Sequence, residues 1–325
     1  MKKLLGFDIG GTKCAVLLGE KEGTALRLLE RSEIPTSRFP QPEQMMQRLI
    51  DEASRMCRGN MPACAGLSCG GPLDSRRGRI LSPPNLPGWD DVPVTDWVQK
   101  QLKIPAYLRN DADAGALAEW RYGAGQGCRN MIFITFGTGC GAGLILNGAL
   151  YSGTNDMAGE CGHIRLTDLG PVGYGKAGAI EGFCSGAGIA QLASLFALEA
   201  MQQGCKTGLC ARCNTGEKLT AKLVAQYAAE GDPVAQKTFQ VAGQYLGKAL
   251  AMMIDLLNPE RIVLGSVFVK CRELLWTPAS RVLRDEALER SAQVCQVLPA
   301  ALGNQIGDYA ALCVADYGSE RLRNL

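Results

Sequence analysis

The chain almost lacks histidine: His163 is the only one in 325 residues. A centre built on several imidazoles is therefore excluded. An excess of one charge sign is also missing. The 34 Lys and Arg residues face 32 Asp and Glu, a formal net charge of +2, so bulk charge gives no basis for nucleic-acid or anionic-membrane binding. No apolar run reaches the ~18 residues of a membrane-crossing helix. The opening MKKLLGFDIGG is interrupted by Asp8 and two glycines before it could serve as a signal peptide. Without an export signal, the 14 cysteines read as reduced thiols of a cytoplasmic protein rather than disulfides. Cys14, Cys69 and Cys140 lie in apolar, Gly-rich stretches, where Cys acts as a small hydrophobe.

Glycine, by contrast, is abundant. Its 40 residues predict many tight turns and close backbone approaches. The length favours two domains over one. The start of the chain reads as three short strands, KLLGFDI, KCAVLLGE and TALRLLERSEI, forming a meander with a Gly-Gly-Thr tip. Helical spacing of Met45, Met46, Leu49 and Ile50 predicts a helix over Pro42–Cys57. ACAGLSCGGP reads as a buried strand and turn, SPPNLPGWDD as a loop, VTDWVQKQL as a helix and PAYLRND as a strand. The design then restarts. IFITFGTGCGAGLILNG repeats the layout of LLGFDIGGTKCAVLLGE: apolar strand, tip with Gly and Thr, apolar strand, turn. An internal duplication of one α/β unit explains this most simply. Later segments are mainly helical: Ile180 to Gln203 as one stretch, and Thr220 to Leu257 broken near EGDP. ERIVLG reads as a short strand and GDYAALCVADYG as a final helix.

Gly137, Gly139 and Ala142 fit G-x-G-x-x-A, but a strand-like segment follows where a dinucleotide site needs a helix. No P-loop motif is present. Two hairpin tips can bind phosphates differently. Glycine lets backbone N–H groups approach phosphate oxygens, and a Thr hydroxyl donates a further hydrogen bond. The tips are Gly10, Gly11, Thr12 and Lys13, and Gly137, Thr138 and Gly139. Lys13 adds compensating charge, and Asp8 is placed to orient a Mg²⁺-bound water.

DIGGTK and GTGCGAG resemble the two phosphate motifs of the actin-like ATPase superfamily. Together with NDADAGALAEW, GECGH and EGFCSG, in this order, they resemble the ROK family of sugar kinases and sugar-responsive repressors. The resemblance spans nearly the whole chain. It implies a duplicated actin-like (ribonuclease H-like) α/β fold with two lobes and a cleft between them. The lobes would be 1–117, joined by a C-terminal helix over about 305–325, and 118–304. It implies ATP and Mg²⁺ as cofactors, a hexose or N-acetylhexosamine as substrate, and a homodimer.

By the same resemblance Asp111 is the general base for the attacking hydroxyl, while Asp113 reads as a helix cap. The sugar falls to Glu160, His163, Glu181, Asn85, Asn110 and the backbone of Gly71; Trp89 reads as packing. Gly265 begins the adenosine contact, and Ser266 and Val267 stand where many members have glycine. Many members also hold zinc with the histidine and three cysteines. Here Gly173, Gly175 and Ile180 occupy the thiol positions, so no zinc is expected there. Cys205, Cys210 and Cys213 leave a metal open. Two alternatives to a kinase stand beside it. One is a non-catalytic sugar or nucleotide sensor. The other is a transcriptional repressor, which would need a DNA-binding module ahead of Leu4.

Overall fold

A computed structural model describes residues 1–323. The strands and helices run, in order, β1 (Lys2–Ile9), β2 (Lys13–Glu22), β3 (Ala25–Pro35), α1 (Pro42–Cys57), β4 (Ala65–Cys69), β5 (Leu73–Asp74), β6 (Arg79–Ile80), α2 (Val94–Leu102), β7 (Ala106–Asn110) and α3 (Asp111–Tyr122). Next come β8 (Met131–Phe136), β9 (Cys140–Leu146), β10 (Ala149–Tyr151), β11 (Val172–Gly173), β12 (Lys176–Ala177), α4 (Ile180–Phe183), α5 (Gly186–Gln202), α6 (Gly208–Asn214) and α7 (Ala221–Ala229). The chain continues through α8 (Pro233–Leu257), β13 (Arg261–Leu264), α9 (Val267–Glu286), α10 (Glu289–Val294), β14 (Gln296–Pro299) and α11 (Ile306–Arg323).

Two five-stranded sheets have the orders β3-β2-β1-β4-β7 and β10-β9-β8-β13-β14. Each is an antiparallel meander of three strands followed by parallel ones, so the duplication seen in the tips extends to whole sheets. The chain forms two compact units. One comprises 1–127, 143–158 and 301–325, and the other 128–142 and 159–300. Residues 324 and 325 lie outside the described residues. Among the described residues no helix is long and apolar enough to cross a membrane.

In the first unit, strand alternation sorts the two faces of β1. Leu5, Phe7 and Ile9 join the core with Met45, Leu49 and Val98 of α1 and α2. Gly6 and Asp8 point the other way, toward α11. That helix packs against the sheet at backbone distance: a Cβ on Gly66 would lie 2.2 Å from the Ala311 carbonyl oxygen. Within this helix, buried Asp316 pairs with Lys2, Lys21 and Arg121 at 3.0, 2.5 and 2.7 Å. Although burial opposes it, hydrogen bonds from Lys21 and Lys2 hold this carboxyl below the usual range. Trp89 is fully buried, a packing residue.

One reading of the helical part needs correction. Ile180 to Gln203 is not one helix: Ser185 separates α4 from α5, its hydroxyl accepting from Gly188 N–H. Helix α9 escapes a pattern reading because Pro278 lies inside it and Cys271 is non-helical. The break near EGDP is a cap, where Asp232 accepts from Val234 and Ala235 ahead of Pro233 at the first turn of α8.

Candidate active site

In the first unit, register aligns three strand ends. Ile9 pairs with Cys69 and Cys69 with Asn110, across parallel β1, β4 and β7. The Gly10–Thr12 tip, the Gly70-Gly71 turn and Asp111 therefore leave the sheet along one carboxyl-terminal edge, where open α/β sheets bind ligands. A Cβ on Gly71 would lie 3.0 Å from Asn110 Nδ2. One on Gly11 would lie 2.3 Å from the Asn85 carbonyl oxygen. So Gly71 meets Asn110 and Gly11 meets Asn85, and sequence-predicted residues from four segments form two touching pairs.

Helix α3 starts at this edge. Its cap is Asn110, whose Oδ1 accepts from Ala112 N–H at 2.8 Å. The capping role expected of Asp113 is thereby corrected. Asp113 is buried and accepts from the Ser152 hydroxyl at 2.6 Å; burial pushes its carboxyl up to about 7. Asp111 also accepts from Ala112 N–H, at 2.8 Å. The residue as a whole is solvent-exposed, yet protein crowds its carboxylate. Desolvation raises it above the ordinary range, against the backbone hydrogen bonds.

Asp8 is pushed up to about 6 by burial first, then by the neighbouring charges of Asp111 and Asp308. Its Oδ2 lies near Gly307, at the start of α11. Lys13 is paired with Glu33, which also binds Arg31 at 2.5 Å, and Arg31 binds Asp308 at 2.7 Å. This relay of charge around Asp8 was not legible in the sequence. Arg31 reads as a solvent-facing residue of β3, and Asp308 follows it by 277 positions. Nothing in the sequence marks Thr36 either. Its hydroxyl donates to Gly10 O at 2.6 Å and its N–H to Thr12 O at 3.0 Å, pinning the first tip from both sides.

In the second unit the other tip closes on itself, Gly137 N–H donating to Gly139 O at 3.0 Å. Thr138 is exposed at its apex. Glu181 Oε2 accepts from Cys140 N–H at 3.0 Å and would lie 2.9 Å from a Cβ on Gly139. Glu181, expected at the sugar, is thus bonded to the tip expected at the phosphates. Gly186 N–H donates to Gly137 O at 2.8 Å, joining the start of α5 to the same tip. Parallel pairing of Ile134 with Leu264 brings Gly265 alongside. Ser266 follows with φ 46° and ψ −107°, a conformation glycine normally supplies. A serine here keeps the backbone path of a glycine.

The GECGH segment is a turn of 3₁₀ helix over Cys161–His163. It lies against β9: Ala142 N–H donates to Gly159 O at 2.7 Å, and a Cβ on Gly162 would lie 2.1 Å from the Cys140 carbonyl oxygen. Glu160 is exposed and His163 half-buried. Among the described residues no group of three or more His, Cys, Asp or Glu is arranged to hold a metal ion. Cys210 turns inward, toward the Ala197 carbonyl, while Cys205 is exposed.

The paired sheets with Gly/Thr tips and a carboxylate at the strand edge define a class, the actin-like ATPase fold. Residues 4–316 match the ROK family, and the chain belongs to it. It is 33% identical over 312 residues to the glucokinase of Halalkalibacterium halodurans, covering 93% of this chain and 92% of that one. Among solved structures it is similar to the ROK hexokinase of Thermus thermophilus, at 28% identity and a TM-score of 0.80, covering 98% and 99%. A ROK glucokinase of Streptomyces griseus, in complex with glucose and AMPPNP, gives 29% identity and a TM-score of 0.75, covering 97% of this chain and 99% of that one.

Proposed function

We propose that the chain is an ATP-dependent sugar kinase in which Asp111 takes the proton from the attacking sugar hydroxyl. The observation that carries this reading is the register joining Ile9, Cys69 and Asn110, which puts Asp111 on the same sheet edge as the first phosphate tip. The hydroxyl oxygen bonds to the γ-phosphorus as the bond to the β–γ bridging oxygen breaks. The proton passes to Asp111 and ADP leaves. A carboxylate with a raised pKa is a stronger base than an ordinary one, and a positioned base contributes about 10²–10⁴-fold.

We assign Gly10 to Lys13 and Gly137 to Gly139 to the phosphates and the Gly265 turn to adenosine. Asn85, Asn110, the Gly71 backbone, Glu160, His163 and Glu181 are assigned to the sugar. Asp8 suits Mg²⁺ held through water, because burial and the nearby carboxylates of Asp111 and Asp308 disfavour its charge more than Lys13 and Arg31 offset it. Bound Mg²⁺ neutralises charge on the transferring phosphoryl group. Glucose is the first sugar to try, given the glucokinase relatives, and a homodimer is expected. Sugar-dependent ADP release across glucose, mannose, fructose, allose, N-acetylglucosamine and N-acetylmannosamine tests the reading. Silence across the whole panel from folded protein overturns it.

A further inference from the structure

We propose that the hairpin of β11 and β12 is a positioning device for His163, acting through Tyr174 and Lys176. The proposal rests on the reading that His163 faces the sugar.

Three observations meet at this residue. The Tyr174 ring stands edge-on to the imidazole, with centroids 4.9 Å apart and planes at 77°. Lys176 Nζ donates to the His163 carbonyl oxygen at 2.8 Å. The strand leaving His163 is tied to the one leaving the hairpin: Ile180 N–H donates to Ile164 O at 2.9 Å, and Leu166 N–H to Gly178 O at 2.8 Å. With Gly162 against Cys140 on the other side, the backbone of His163 is fixed. Tyr174 of the hairpin reaches its ring.

The turn residue is the telling one. Val172 pairs with Ala177 and Gly173 with Lys176, leaving a two-residue loop of Tyr174 and Gly175. Their φ values are 44° and 75°. Consecutive positive φ in a two-residue hairpin loop favours Asn, Asp or Gly at the first position. A bulky aromatic residue there is strained. Nor does burial hold it, since Tyr174 is 67% exposed. What tyrosine supplies and glycine cannot is the edge against the imidazole. An edge contact of this kind is worth roughly 2–10-fold in an equilibrium.

The single histidine makes the test direct, because selectively labelled protein gives one imidazole signal. Tyr174→Gly relaxes the turn and deletes the ring; Tyr174→Phe keeps the edge; Lys176→Met deletes the donor. We expect the imidazole ¹H–¹³C signal to move and broaden in Tyr174→Gly and to stay near wild type in Tyr174→Phe. The sugar KM should rise about 2–10-fold in Tyr174→Gly, with kcat and the ATP KM nearly constant. Phe should restore it, and Lys176→Met should raise the sugar KM as well. The thermal midpoint of Tyr174→Gly should not fall. An unmoved imidazole signal in Tyr174→Gly, or a loss of kcat equal to the change in KM, overturns the positioning role. Failure of the kinase reading looks different: no sugar in the panel shifts the wild-type signal or releases ADP, while Tyr174→Gly still moves it.

Discussion

Gly11 and Asn85 are in backbone contact, with room for no side chain between them: a Cβ on Gly11 would lie 2.3 Å from the Asn85 carbonyl oxygen and 3.0 Å from its Cβ. The tip proposed for phosphate and the loop proposed for the sugar thus share one steric constraint. Gly11→Ala should raise the KM values for ATP and sugar together. Overpacking of this kind costs about 1–3 kcal/mol, which a thermal melt will show. Wild-type kinetics in this variant would separate the tip from the loop.

Asp111→Asn keeps the shape of the side chain and removes the proposed base. Turnover should drop by about 10²–10⁴-fold while sugar affinity, measured calorimetrically, stays within a few-fold. A kcat near wild type would remove Asp111 from its role.

Asp113 offers a pH test. Its carboxyl ordinarily titrates near 3.8 and in the fold near 7, so the folded state binds more protons between these values. Stability therefore falls as pH rises through this window, and the penalty is complete above about 7. Asp113→Asn retains an oxygen for the Ser152 hydroxyl and carries no charge. Its thermal midpoint should exceed that of wild type at pH 8, and the gap should shrink toward pH 5. A gap independent of pH would contradict the assignment.

Ser266 holds a backbone shape that favours glycine. Ser266→Gly should stabilise the protein by about 1 kcal/mol in denaturant melts, without raising the ATP KM. Destabilisation would show that the serine hydroxyl contributes more than its backbone strain costs.

Elemental analysis of purified protein should show no stoichiometric zinc, since Gly173, Gly175 and Ile180 carry no thiols. A 1:1 ratio would mean that another set of ligands holds it.

How far the sequence could be read follows from how local each signal is. The tips were legible because apolar strand, Gly-rich turn and apolar strand lie within some twenty residues, twice. Pro42–Cys57 was legible because its buried face has helical spacing. Helix α9 was not, since Pro278 and the kink at Cys271 interrupt that spacing. Strand β14 has only four residues, none fully buried, and so shows no alternation to read. In the site, Asp111 and both tips stood in motifs. Arg31, Thr36 and Asp308 did not, because their partners are distant in the chain and each alone reads as an ordinary polar residue. Tyr174 is illegible for a different reason. Two-residue strands carry no periodicity, so its turn could not be recognised as a hairpin.

The seating of α11 on Gly66 has a consequence for biosynthesis. The strand that carries Gly66 is covered by residues synthesised more than 240 positions later, Ala311 and Ala315 among them. At ordinary translation speeds this is a delay of roughly 10–50 s. Throughout it, the finished strands lack α11. Premature termination before Ile306 would leave them formed without that helix.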